Sequence, residues 1–319
     1  AFEELKKKVK PEIDWLYETK CDRCGGKATT AYTVYSQVFR CPRCYEKVAL
    51  FDCVEVESKT QKGKDKKIKV CPYCYKRDIL EEISTRDEKF GAKPVLVSYI
   101  CEGKCKPARD ERRHNDEDEK KREYFEKYDK GKIREIEEKE IPYWYPKDRM
   151  MNVSEDQEKW GYLWRKGIHK DINRVNELFT KQNLWALAIL RETINKETNN
   201  LKDKMFFILN ATSMNCSKMY QYRPSLKGGF QKGTYYVPQE SQIINVWRAF
   251  VDKVDSFIRA SSDLSLDTNF LISTQSSTDI NNIQSNSINY IFTDPPYADN
   301  VQYGELNFVW EAWLNFDTN

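Results

Sequence analysis

Four close pairs of cysteines and one acidic proline turn are the residues of this sequence whose types and spacing could do chemistry. Cys21-Asp-Arg-Cys24 and Cys41-Pro-Arg-Cys44 together read C-x2-C-x16-C-x2-C. That spacing matches a zinc ribbon, in which two tight knuckles joined by a hairpin supply four thiolates to one tetrahedral ion. Gly25 and Gly26 follow the first knuckle and suit the backbone turn needed there. Cys71-Pro-Tyr-Cys74 and Cys101-Glu-Gly-Lys-Cys105 form a second set, with a longer intervening loop, and predict a second structural zinc. No secretory feature accompanies these thiols, and in a reducing compartment such pairs bind zinc rather than oxidise. Cys53 and Cys216 have no close partner and read as ordinary buried thiols, while His114 and His169 are too isolated to be ligands.

The second signal is Thr293-Asp294-Pro295-Pro296-Tyr297, entered from the strand-like run Ser287 to Phe292. A turn of this kind can serve methyl transfer to an exocyclic amine, a poor nucleophile because its lone pair is delocalised into the ring. Asp294 can accept one hydrogen bond from that amine and the Pro295 carbonyl the other, favouring a tetrahedral nitrogen with its lone pair directed outward. Pro295 and Pro296 fix φ and stiffen the turn, and Tyr297 offers a stacking face to a base that has left its duplex. Asp279 lies a strand's length upstream, where a doubly wound sheet would bring it to a neighbouring strand end and a cofactor. The competing readings are a Pro-Pro loop leaving a sheet, and a plain loop aspartate at 279.

These residues need elements to position them. Phe2, Leu5, Val9, Ile13 and Leu16 predict a helix over residues 1–19, with Pro11 at a kink. Residues 20–107 hold both cysteine modules. Within them Thr29 to Phe39, rich in β-branched and aromatic residues, reads as a hairpin, and Val48 to Val56 as a further strand. The lysine-rich stretch Ser58 to Lys69 reads as a solvated loop or as a phosphate-contacting finger. Residues 108–140 mix both charge signs and predict an exposed helix or a flexible connector. Residues 141–319 then carry three apolar stripes at helical spacing, over 178–194, 204–214 and 243–258, followed by short strands at 270–273 and 287–292.

The chain has 319 residues, with 39% hydrophobic and 32% charged, enough for two domains or one with a large insertion. A net charge of +3 does not by itself point to nucleic acid, although Arg23, Arg40 and Arg43 beside the knuckles favour that partner. No apolar run approaches the ~20 residues that cross a bilayer, so a soluble, cytoplasmic protein is expected. Both ends read as cuts through a longer protein.

Tyr290 to Leu314 resembles the amino-group DNA methyltransferases, in particular the large zinc-ribbon-containing adenine-specific methylases. Weaker likenesses lie at Trp15 to Cys21, Glu177 to Arg191, Gly233 to Pro238 and Asn245 to Trp247. The resemblance implies an α/β fold with a Rossmann-like sheet carrying the zinc ribbon as an insertion. It implies S-adenosylmethionine as methyl donor and a flipped adenine (N6) or cytosine (N4) of duplex DNA as acceptor. By motif, Asp294, Pro295, Pro296 and Tyr297 become the catalytic turn, Asp279 and Asp294 the cofactor-side residues, and Tyr303 and Glu305 weaker candidates for the active-site loop. The family's glycine-rich cofactor loop has no counterpart here: Gly228-Gly229 lies in a polar segment without a strand before it. The resemblance therefore implies a piece that works with the rest of the same methylase or with a partner subunit. Two rivals stand beside it, an RNA base methyltransferase and a non-catalytic zinc-ribbon subunit that binds nucleic acid.

Overall fold

The computed structural model describes residues 2–316, apart from 60–62, 64, 85–87, 106–107, 155, 157, 159–171, 198–200, 225–227, 232–234, 263–277, 279 and 295–302. The chain opens with helix α1 (Phe2–Leu16), which buries Leu5, Val9, Ile13 and Leu16, the stripe that its spacing predicts, and tolerates Pro11 within it. Strand β1 (Glu18–Lys20) leads through the first knuckle into β2 (Lys27–Arg40). The second knuckle joins β2 to β3 (Lys47–Ala49), after which β4 (Val54–Lys59) and β5 (Asp65–Val70) form a separate two-stranded ribbon. A one-turn helix α2 (Pro72–Tyr75), β6 (Lys89–Cys101) and β7 (Arg109–Arg113) complete this half.

The hairpin expected over Thr29 to Phe39 is instead a single strand. β2 runs 14 residues without a turn, and its sequence holds no Gly, Pro, Asn or Asp to make one. One edge of β2 pairs along its length with antiparallel β6. The other edge is tiled by three short strands: β1 at Lys27–Thr29, β8 (Glu240–Ile244) at Tyr32–Ser36, and β3 at Val38–Arg40. β7 extends the sheet beyond β6. The protein is thus mixed α and β, and every pairing in the sheet is antiparallel.

Residues 108–140 are not a loose connector. β7 joins the sheet, and α3 (Glu119–Tyr124), a π-helical turn (Phe125–Lys130) and α4 (Gly131–Glu137) follow one another without a break and bury Phe125, Asp129 and Ile136. The remaining helices are α5 (Lys181–Asn195), α6 (Lys202–Ser213), α7 (Val246–Ser262) and α8 (Tyr303–Leu314). Together with α1 they enclose the largest apolar core. α5 lies at its centre, buried on nearly every side.

Polar side chains fasten this helical layer to the sheet. The fully buried Asn183 amide accepts from the Tyr17 hydroxyl at 2.8 Å and donates to the carbonyls of Cys216 at 2.8 Å and Ile244 at 2.9 Å. Asn245 spans the junction of β8 and α7, donating from its side chain to Thr30 O at 2.9 Å and accepting from Arg248 N at 3.2 Å as the cap of α7. These bonds pair polar groups within the core, where the Tyr17 hydroxyl also accepts from Val246 N at 3.2 Å. Asn183→Ala removes the acceptor of the Tyr17 hydroxyl and the donor of two carbonyls at once, and is expected to cost about 2–4 kcal/mol, measured as the shift of the urea unfolding midpoint at unchanged slope.

Candidate metal centres and the proline turn

The eight paired cysteines assemble into two quartets, though not those that linear spacing suggests. Cys21 and Cys24 meet Cys101 and Cys105, while Cys41 and Cys44 meet Cys71 and Cys74. The reason is β2. With a rise of about 3.3 Å per residue, its two ends stand about 40 Å apart, so Cys24 and Cys41 cannot share an ion. β6 returns antiparallel beside β2 and brings Cys101 opposite Ala28. The β4–β5 ribbon turns back sooner and delivers Cys71 and Cys74 to the far end.

Both knuckles are built alike. Cys21 N donates to Gly26 O and Gly25 N to Cys21 O, just as Cys41 N donates to Glu46 O and Tyr45 N to Cys41 O. The residue that closes each turn lies in the left-handed region, Gly25 at φ 70° and Tyr45 at φ 62°. Glycine takes this conformation freely, whereas Tyr45 carries the cost of a Cβ there.

The sulfurs of each quartet lie within 4.8 Å of one another. Observed separations are 3.6 Å for Cys24–Cys101 and 3.7 Å for both Cys41–Cys74 and Cys44–Cys71. A tetrahedral ion with Zn–S bonds of about 2.3 Å requires sulfur separations of about 3.8 Å. The donor chemistry fits as well. Burial acts to raise the Cys21 thiol, but hydrogen bonds from the backbone N–H groups of Cys24 and Arg23, together with those from their side chains, bring it down to about 6. Burial and the neighbouring sulfurs push Cys105 and Cys74 up to about 12. Four thiolates at this spacing repel one another, and a shared dication removes the conflict. Each quartet can therefore hold one metal ion, and four sulfurs suit zinc.

Each centre has its own apolar surround. Phe39, Val48, Leu50 and Ile83 pack against the Cys41 quartet, and Ala28, Val97, Tyr99 and Phe125 against the Cys21 quartet. The Cys21 centre is further tied to the charged segment. The fully buried Arg112 donates to Asp129 at 2.5 and 2.7 Å, to Asp22 at 3.1 Å and to the Lys20 carbonyl at 2.7 Å. Asp22 lies between Cys21 and Cys24, so this cation fixes the knuckle from behind. Sequence reading missed Arg112 and Asp129, because nothing in a mixed-charge run says which two charges meet.

The arginines beside the knuckles are partly committed: Arg23 pairs with Asp110 at 3.3 Å and Arg40 with Glu88 at 3.4 Å. The lysine-rich stretch is largely the β4–β5 ribbon, with Lys66 paired to Glu82 at 2.9 Å, Lys67 to Glu55 at 2.7 Å, and Lys69 to Glu240. His114 pairs with Asp52 at 2.7 Å and belongs to neither quartet. Burial pushes the Cys53 thiol up to about 12 and the Cys216 thiol higher still, as expected of inert thiols.

The proline turn is placed only in part. Ser287 to Asp294 follows no regular structure, so the strand expected at 287–292 does not form among the described residues. Its apolar side chains lie open, Tyr290 at 80% and Phe292 at 79% exposure, and Asp294 is exposed too. A strand needs a partner edge as well as strand-forming residues, and no described strand lies against this run. Pro295, Pro296, Tyr297, Asp279, His169 and the strand expected at 270–273 lie outside the described residues. On α8, Tyr303 is exposed, whereas Glu305 is buried and accepts from Asn152 through its side chain and from Tyr235 through its backbone carbonyl. Among the described residues, no helix is long and apolar enough to cross a membrane.

Comparison with protein-family models, with curated proteins and with solved structures finds no match.

The nested pairing has a direct test in metal content. Wild-type protein is expected to bind two zinc ions, one per quartet. The double variant Cys21→Ala/Cys101→Ala damages one quartet and should retain one ion, whereas Cys21→Ala/Cys41→Ala damages both and should retain none. Elemental analysis of the purified variants giving the reverse order would restore the linear pairing.

Proposed function

We propose that this chain is the zinc-bearing part of a DNA methyltransferase that moves a methyl group from S-adenosylmethionine to the exocyclic amine of adenine or cytosine. The observation that carries the reading is the segment 287–297, in which an apolar run feeds Asp294-Pro-Pro-Tyr. Asp294 stands open to solvent, and so to an incoming base. Its carboxylate would accept a hydrogen bond from the amine and oppose delocalisation of the nitrogen lone pair. Tyr297 would stack on the extruded base. No cysteine is needed as a nucleophile, in keeping with Cys216 being buried and held in its neutral form.

The described residues do not assemble a cradle for the methyl donor. Among them no strand runs into a glycine-rich turn and a helix, and the sheet has no parallel pair at whose carboxyl edge a cofactor could lie. The Rossmann-like sheet and the donor site thus belong to the proposal alone. On it, the antiparallel sheet with its two metal centres is the zinc-bearing module beside the catalytic segment.

That same sheet favours a second reading, a zinc-bearing subunit that binds nucleic acid and performs no chemistry. Transfer of labelled methyl groups to duplex DNA by the intact protein separates the two. Asp294→Ala should lower incorporation by roughly a hundredfold or more while leaving zinc content and unfolding unchanged. Undiminished methylation in that variant rules out the assigned turn. Methylation of RNA but not DNA moves the reaction to the other acceptor.

A further inference from the structure

A cavity of about 660 Å³ opens where the aromatic segment after α4 passes the start of α5 and the end of α8. Its walls include Trp144, Tyr145, Arg149, Arg174 and Lys181. None of these belongs to the metal centres or the proline turn.

Trp144 is held as a platform. The Arg191 guanidinium sits 3.8 Å from its ring centroid, and Arg191 is itself buried, donating from Nε to the Trp313 carbonyl at 2.8 Å. Arg191 covers one face of the indole and is not part of the cavity wall, which Trp144 does line. At 39% exposure, that large aromatic surface is open to a ligand.

The cationic side of the cavity is unusual in a second way. Arg149 and Arg174 are partners across an isolated antiparallel bridge, which sets two guanidinium side chains on adjacent positions. Like charges directly opposite one another are destabilising; among the described residues neither guanidinium forms an ion pair with a carboxylate, and Arg174 Nη1 donates to the Lys147 carbonyl at 2.8 Å. Lys147 lies 5.0 Å from the Tyr145 ring centroid, on the same wall. Two carboxylates, Glu140 and Asp148, also reach the lining, and four cations outnumber them. A second cavity of about 730 Å³ shares Ile141, Tyr145 and Lys181 with the first and so adjoins it.

An aromatic face for a base beside paired guanidinium groups for a phosphate is the chemistry that recognises an unpaired nucleotide. We infer that this cavity is a single-strand DNA subsite, stacking one unpaired base on Trp144 and holding its neighbouring phosphate between Arg149 and Arg174. Asn315, at the end of α8, lines the same cavity, so the subsite lies beside the helix that follows the proline turn. The inference rests on the nucleic-acid half of the proposed function and is independent of methyl transfer.

The test is the binding of labelled oligodeoxythymidylate to the zinc-loaded chain, followed by fluorescence anisotropy. Trp144→Ala should weaken binding roughly tenfold, and Trp144→Phe should restore most of it. On an abasic strand of equal length Trp144→Ala should have no effect, because only the base uses the indole. The double variant Arg149→Ser/Arg174→Ser should flatten the dependence of log K on log salt by about 0.7 for each phosphate that is no longer neutralised. Zinc content and circular dichroism identify any variant that has merely unfolded. Equal weakening on abasic and base-bearing strands, an unchanged salt slope, or tighter binding of oligouridylate would each overturn the assignment. A protein that shows the expected binding pattern but transfers no methyl group refutes only the catalytic reading. One that methylates DNA while its strand binding ignores all these substitutions refutes only the subsite.

Discussion

The run of β2 as a single strand, paired with β6 on one edge through three register shifts and with β1, β8 and β3 on the other, is the constraint from which the rest of the structure follows. A strand of that length separates the two knuckles at its ends, so each must find its partner cysteines locally in space although they are distant in sequence. The antiparallel return of β6 supplies Cys101 and Cys105 to one end, and the β4–β5 ribbon supplies Cys71 and Cys74 to the other. The result is nested. Cys41 and Cys74 are 33 positions apart, and Cys24 and Cys101 are 77. Closing the inner centre first shortens the effective loop that the outer centre must close, and loop entropy grows only slowly with length. The outer centre is therefore reachable at little extra entropic cost once the inner one is in place. Metal at both ends would then clamp the β2–β6 pair, in a half of the molecule whose apolar clusters are small.

Burying charge next to such a centre is costly unless the charges answer one another. Four thiolates around a dication leave a net negative charge, and Asp22 adds to it from within the first knuckle. Arg112 is placed to answer both Asp22 and Asp129, which explains how a guanidinium can be fully buried in this region. The π-helical turn matters here, because Asp129 lies within it and the Thr19 hydroxyl donates to the same carboxylate at 2.6 Å. The charged segment that composition describes as an exposed helix or a connector in this way braces the first cysteine quartet.

How much of this was legible in the sequence depended on whether the signal was local. The helical spacing of α1, α5 and α7 is local and finds each helix, although α5, buried nearly all round, starts only at Lys181 within the run from 178, and the run from 243 begins in β8 and becomes α7 only at Val246. Cysteine identity is local too, and all eight paired thiols join quartets. The pairing of those thiols is not local: it turns on whether Thr29 to Phe39 bends, and the lack of turn-forming residues there was the available clue. The β8 segment lies some two hundred positions from β2, and its fit between β1 and β3 is a tertiary fact with no sequence signature. Arg112, Asp129 and the paired arginines at 149 and 174 were hidden for the same reason. Composition counts charges and says nothing of which ones face each other.

The exposed run before Asp294 follows from the same principle and bears on the proposed chemistry. Side chains such as Ile291 and Phe292 each gain about 1.5–3 kcal/mol when fully buried, so their exposure marks a surface better covered than bare. Asp294 has its own reason to be covered. In water, a hydrogen bond from an amine to a carboxylate replaces one from solvent at little net gain. The same bond in a water-excluded site is strong enough to bias the geometry of the nitrogen. A carboxylate open to bulk solvent would polarise a base amine weakly, whereas one enclosed by the base and by whatever packs on residues 288–292 would do so well. Burial of the apolar run and activation of Asp294 are thus a single requirement on the proposed reading, and covering that surface would satisfy both.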